Sequence, residues 1–179
     1  CYSSICMPLP THSFVSQAIL AREVRKSDCK VLITGDGGDE LFGGYEFYKS
    51  LINLLGTTKS NPSIYSGFVD LGFKFIDWEP NRLIREVSEL WNNTLELYQD
   101  LPRKEAIIQS VLFLDYTIQV ESVGIRSSDT MSMMSSVESR GFYLTEQIME
   151  FGFNLNSKQK IDLESPNDTQ ITRPLMKHF

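Results

Sequence analysis

Apolar residues in the first part of the chain recur at helical spacing. Phe14, Val15, Ala18, Ile19 and Val24 share one face of a 3.6-residue period, and Ser13 is placed to cap its start. A helix is therefore predicted from Ser13 to about Lys26. The pattern then changes to a short continuous run, Val31-Leu32-Ile33, bounded by Lys30 and by the glycine-rich Thr34-Gly35-Asp36-Gly37-Gly38. Such a run reads as a buried parallel strand. Beyond it the helical period returns. A short helix is predicted over Glu46 to Leu55, and a stripe follows through Tyr65, Phe68, Val69, Phe73 and Ile76. A third stripe takes in Leu83, Ile84, Val87, Leu90, Trp91 and Leu95. A fourth, from about Arg103, turns Ile107, Ile108, Val111, Leu112 and Ile118 inward. Leu144, Ile148, Phe151 and Leu155 make a fifth. Residues 157–170 are polar, with Pro166, Asn167 and Asp168 supplying turn chemistry, and read as a surface loop or linker.

One strand among many helices has a consequence. A lone parallel strand cannot satisfy its own backbone or bury both faces. Its partners are expected outside this chain, and apolar strand residues are expected to be exposed. The fold class is α/β: a mostly helical part of a parallel-sheet domain, with most of the sheet strands missing. Residues 1–179 form one partial domain. The start at Cys1 rather than Met points the same way.

Composition narrows the partners. With 41% apolar residues a core is available, while a formal charge of −6 leaves no broad basic surface for nucleic acid. No apolar stretch approaches the roughly 20 residues needed to span a membrane. Cys1, Cys6 and Cys29 are odd in number and form no CxxC pair, which disfavours a disulfide framework and a thiolate zinc site and fits a reducing cytoplasm.

The candidate chemistry lies in Thr34-Gly35-Asp36-Gly37-Gly38-Asp39-Glu40, directly after the strand, where ligands gather in open α/β sheets. Glu40 stands where a dinucleotide fingerprint needs its last glycine, and no Lys-Ser or Lys-Thr pair follows to make a P-loop. The spacing of Asp36 and Asp39 does not match a calcium-binding EF-hand either. Three carboxylates this close repel a bare phosphate, so a nucleotide binds beside them only with divalent metal between. Magnesium with ATP is the natural pairing, because Mg²⁺ takes one or two protein carboxylates and completes its shell with phosphate oxygens and water. The other reading of the same residues is an acidic turn capping the next helix.

The wording of two segments goes further. Val31 to Tyr45, VLITGDGGDELFGGY, resembles the asparagine synthase pattern VxLSGDGxDExFGGY. Ser128 to Arg140 resembles that family's DRxSMAxSxExR, with Asp115 at the family's distance upstream and Glu146 to Lys158 similar to its following helix and lysine. The resemblance implies an ATP pyrophosphatase-type synthetase domain with a doubly wound, adenine nucleotide alpha hydrolase-like sheet. Such a domain adenylates a carboxylate, aspartate in the family's main activity, and passes the acyl group to ammonia derived from glutamine. It implies Thr34, Gly35, Gly37 and Gly38 beside the nucleotide, Asp36 in the amide-forming step, and Asp39 and Glu40 with magnesium. The implied partners are the upstream synthetase strands and a glutaminase domain.

The departures are specific. The pyrophosphate-binding SGGxDS loop is absent, Thr130 replaces the motif arginine, Gly141-Phe142-Tyr143-Leu144-Thr145 replaces xPFLD, and Thr172 stands at a pyrophosphate-binding lysine. They keep a non-catalytic homologue open as the competing reading, together with a related ligase for a saccharide or peptide carboxylate. Glu138 and Arg140 could contact substrate, but two apart on an expected helix they are not expected to face each other, and buried ion pairs with other elements are expected instead. Asp115 is expected to be a buried, hydrogen-bonded packing residue, and Met131, Met133 and Met134 core filling. His12 and His178 have no metal-ligand spacing, and Ser135 and Ser136 have no nucleophile elbow.

Overall fold

The computed structural model of the chain describes residues 13–57 and 80–161. The expected helix over Tyr65 to Ile76 lies outside these residues, as do His12, Thr172 and His178. In chain order the elements are α1 (Ser13–Lys26), β1 (Val31–Thr34), α2 (Gly38–Phe42), α3 (Phe47–Thr57), α4 (Pro80–Leu97) and α5 (Arg103–Asp115). A π-helical segment (Tyr116–Ile125) continues into α6 (Arg126–Met133), followed by β2 (Glu138–Gly141) and a 3-10 turn (Phe142–Leu144). α7 (Glu146–Asn154) and α8 (Ser157–Lys160) complete the order. Two compact units share these elements. One is drawn from Cys1–Gly38 and Tyr116–Gly152, the other from Asp39–Asp115 and Phe153–Phe179.

In the first unit β1 pairs in parallel with β2, in the register Val31 to Glu138, Leu32 to Ser139, Ile33 to Arg140 and Thr34 to Gly141. This corrects the expectation that every partner strand lies outside the chain. The reason is local. A turn after α6 carries Ser136 at φ 55°, a left-handed conformation that stops the helix. The following Val137-Glu138-Ser139-Arg140 has no helical apolar period, and its exposure alternates along the strand. A strand puts residues two apart on one face. The Arg140 guanidinium accordingly donates to both oxygens of Glu138, Nε to Oε1 at 2.9 Å and Nη2 to Oε2 at 3.2 Å, in place of the separated pair expected on a helix.

Val31 and Ile33 share that face and are 41% and 72% exposed, which corrects the reading of this run as a buried strand and leaves the exposed apolar residues expected of an incomplete sheet. α1 packs on α6, and Ser127 donates its hydroxyl to Gln17 Oε1 at 2.6 Å. Only Phe14 and Ala21 of α1 are buried. Val15 and Ile19, expected inward, are exposed.

The second unit holds the apolar core: Tyr48, Leu51, Ile52 and Leu55 of α3, Trp91 of α4, Ile107, Ile108, Val111, Leu112 and Leu114 of α5, and Ile161. Burial runs all round α5 from Ala106 to Leu112, with the adjacent polar residues Gln109 and Ser110 enclosed as well. α5 stops at Asp115, before Ile118, which is exposed rather than inward.

Residues 157–170 were expected to form a loop, yet their first four make α8. Asn156 caps it: its side chain accepts from the Lys158 backbone at 2.9 Å, while Gln159 Oε1 accepts from the Asn156 backbone at 3.1 Å. Ser157 and Lys160 are buried, which a polar sequence did not announce. Residues 162–170 lie outside the described residues.

Gly43 ties this unit's ends together. At φ +75° it occupies a conformation side chains rarely adopt, and an added Cβ would stand 2.4 Å from Ile161 Cγ1. Gly43→Ala is expected to destabilise the fold by about 2 kcal/mol. A lower denaturant midpoint at unchanged slope is the check, and an unchanged midpoint would contradict it.

Candidate functional site

The glycine loop leaves the carboxyl end of β1 and folds back on itself, with Gly38 N–H donating to Gly35 O at 3.1 Å. Asp36 is its fixed point. Thr34 Oγ1 and Ser128 Oγ both donate to the same oxygen, Asp36 Oδ2, each at 2.8 Å. Among the described residues the other oxygen, Oδ1, has no hydrogen-bond partner. The carboxylate is thus anchored by one oxygen and presents the second.

The glycines divide into two kinds. Nothing lies within 4 Å of where a Cβ on Gly35 would stand, and the residue is exposed. Gly37, at φ +87°, and Gly38 are buried instead. A Cβ on Gly37 would meet Leu144 Cδ2 at 2.8 Å and Tyr116 Cε2 at 3.2 Å, and one on Gly38 would meet Tyr143 Cε2 at 2.9 Å. Tyr116 is held there by donating its hydroxyl to Tyr143 O at 3.2 Å. Gly35 leaves backbone open to a ligand, while Gly37 and Gly38 let the loop seat on an aromatic and aliphatic support.

The second unit gathers acids and tyrosines. Tyr45 donates its hydroxyl to Glu40 Oε1 at 2.7 Å, and Tyr48 donates to Asp115 Oδ2. Glu40 is only 6% exposed. Burial pushes both tyrosine hydroxyls well above their ordinary range, and the neighbouring carboxylates push the same way. Burial also raises Asp115, to about 6, against the lowering effect of the Tyr48 hydrogen bond. Asp115 is therefore the hydrogen-bonded, packed acid that its position in the sequence suggested. Asp39 is different: its side chain is exposed, and its backbone carbonyl accepts the N–H groups of Gly43 and Gly44, both at 2.8 Å. A Cβ on Gly44 would stand 1.9 Å from Asp39 Oδ1, so the second glycine of Gly43-Gly44 makes room for that carboxylate.

Among the described residues, no three His, Cys, Asp or Glu side chains gather in a way that could hold a metal ion. Magnesium does not require three, since phosphate and water complete its shell. Asp39, an exposed residue, carries a carboxylate that suits that hard cation. Glu40, enclosed and bonded to Tyr45, is less suited. Met131 is buried as core filling was expected to be, whereas Met133 and Met134 are exposed. Sequence reasoning gave Ser128 no role, although it opens the second motif segment, and missed the two tyrosine partners of the acids. The aromatic positions of Tyr45 and Tyr48, five and eight residues past Glu40, could have suggested them.

Among the described residues no helix is long and apolar enough to cross a membrane. No curated protein and no solved structure matches the chain. The family model described as asparagine synthase matches residues 3–178, almost the whole of the sequence, and at family level this implies an ATP-dependent synthetase of the ligase type. The anchored Asp36 after a parallel strand and a match of that extent lead to one statement: the chain belongs to the asparagine synthase family.

Proposed function

We propose that this chain is part of an ATP-dependent amide synthetase that adenylates aspartate and transfers the acyl group to ammonia supplied by glutamine, yielding asparagine, AMP and pyrophosphate. The observation that carries the reading is Asp36, held through Oδ2 by Thr34 and Ser128 at the carboxyl end of β1 with Oδ1 open. A carboxylate so placed can take a proton from an attacking amine. The amine nitrogen bonds to the acyl carbon, the bond to AMP breaks with its electron pair leaving on phosphate, and the proton goes to Asp36 Oδ1. Gly35 offers the open backbone beside the nucleotide. Gly37 and Gly38 keep the loop seated, and Thr34 orients Asp36. Magnesium, when bound, would neutralise phosphate charge, and Asp39 is the carboxylate suited to hold it, with Glu40 behind it in its bond to Tyr45.

The reading places the remaining phosphate-binding groups on strands upstream of this chain and the glutaminase reaction on a separate domain, in the cytoplasm. Full-length protein given ATP, magnesium, aspartate and ammonium should form AMP and asparagine in equal amounts. AMP formation that ignores aspartate, or that follows a saccharide or peptide carboxylate instead, would replace the substrate assignment. The competing reading, a non-catalytic homologue, draws on Thr130 and Thr172, neutral residues where the family pattern has arginine and lysine. Full absence of ATP turnover would favour it.

A further inference from the structure

We propose that Ser128 is a positioning residue for Asp36, an inference that rests on the amide-forming role given to Asp36 above. Ser128 sits in the first turn of α6 and opens the segment that resembles DRxSMAxSxExR, ahead of the residues that pattern specifies. The residue is 8% exposed. A hydroxyl has a single hydrogen to give, and two acceptors are near: Asp36 Oδ2 at 2.8 Å, and Ile125 O, one turn back, at 3.4 Å. The shorter and charge-assisted bond to Asp36 takes the hydrogen.

The geometry explains why two donors are needed. Thr34 is the last residue of β1, two residues before Asp36, so its bond ties the carboxylate only to the strand from which the loop itself leaves. Ser128 comes from a separate helix, 92 residues away in sequence. Its bond fixes the carboxylate against α6. α6 is in turn secured to α1 by the bond from Ser127 to Gln17 at 2.6 Å, and both Ser127 and Ser128 are buried. With Oδ2 bound from two directions, rotation about the Asp36 side chain is blocked and Oδ1 alone faces the reacting amine. Placement of this kind is worth most in the step that uses the oxygen and little in steps that do not.

The test is a cycle of Ser128→Ala, Asp36→Asn and the double variant in full-length protein, following asparagine formation from aspartate and ammonium and, separately, ATP–pyrophosphate exchange. Ser128→Ala should lower kcat for amide formation roughly tenfold, with exchange, the KM for ATP and the melting temperature little changed. In the Asp36→Asn background the same change should have no further effect, because Ser128 acts through Asp36. Ser128→Cys, similar in shape but a weak donor, gives the same signature should the alanine variant fold poorly. If Asp36→Asn impairs amide formation while Ser128→Ala does not, or if the two losses multiply independently, the positioning role is overturned and the Asp36 assignment stands. If Asp36→Asn leaves amide formation unchanged, the assignment to Asp36 fails, and the inference falls with it.

Discussion

Asp36→Asn is expected to abolish asparagine formation, by about 10²-fold or more, while adenylation measured as pyrophosphate exchange continues near its normal rate. The substitution keeps the size of the side chain and its ability to accept at one oxygen, so the anchoring bonds from Thr34 and Ser128, both 2.8 Å, can persist. What is lost is the basic oxygen that receives the amine's proton, a loss of general-base catalysis in the 10²- to 10⁴-fold range. Nucleotide binding should change little, because the charge removed already has two hydrogen-bond donors and is not the one assigned to magnesium. Asp39→Asn gives the contrast: weaker ATP binding that more magnesium partly restores, since a hard cation prefers the charged oxygen. Should both substitutions spare binding and turnover, the acidic loop is a helix-capping turn. That was the other reading of the sequence.

The second large effect is on stability. Lys160 is fully buried, donating from Nζ to Gln109 Oε1 at 2.9 Å, with its ammonium 5.5 Å from the centroid of the Phe153 ring. Gln109 in turn donates to Leu155 O at 2.8 Å, so one side chain of α5 holds both the end of α7 and α8. Among the described residues no carboxylate pairs with this lysine. Burial lowers it from 10.5 to about 8. The sign follows from which state binds the proton more tightly. Above pH 10.5 the amine is neutral folded or unfolded and there is no penalty. Between 10.5 and 8 the unfolded chain protonates first, so stability falls as pH falls, and below about 8 the full penalty applies, about 3 kcal/mol.

Lys160→Met fills nearly the same volume without the charge. The difference in unfolding free energy between wild type and Lys160→Met should therefore shift by about 3 kcal/mol between pH 7.5 and 10.5. Using the difference cancels the tyrosines and arginines that the two proteins share. A difference that stays flat with pH would show that Lys160 keeps its ordinary basicity and is wetter than the fold implies. At pH 7 the variant gains from losing the buried charge but leaves Gln109 Oε1 without its donor, which offsets about 1 to 3 kcal/mol.

Much of this organisation was legible in the sequence, and the misses have physical causes. The helix of Ser13 to Lys26 and the strand at Val31 follow from period alone, and both are present. The core residues Trp91, Val111 and Leu112 are ones whose spacing and size point inward. β2 was not legible, because Glu138-Ser139-Arg140-Gly141 has neither β-branched residues nor apolar alternation. Its extended form comes from pairing with β1, a tertiary effect that overrides local propensity. Lys160 was unreadable for a related reason: a charged residue in a polar segment reads as surface, and only Gln109, 51 residues away, and the Phe153 ring make its burial tolerable. In the site, the loop's position and acids were plain. The anchoring of Asp36 was half visible in neighbouring Thr34, and the other half came from Ser128, which nothing local links to it.

The pairing of β1 with β2 also sets an order of events during synthesis. Val31 is made about a hundred residues before its partner Glu138, and a self-contained core, that of α3, α4 and α5, is encoded between them. At roughly 5–20 residues per second, β1 waits on the order of 5–20 s after leaving the ribosome before its ladder can form. The intervening helices contact one another over short sequence distances and need no such wait. They are expected to condense first. Through that interval Val31 and Ile33 are an unpaired, apolar edge of the kind that chaperones bind.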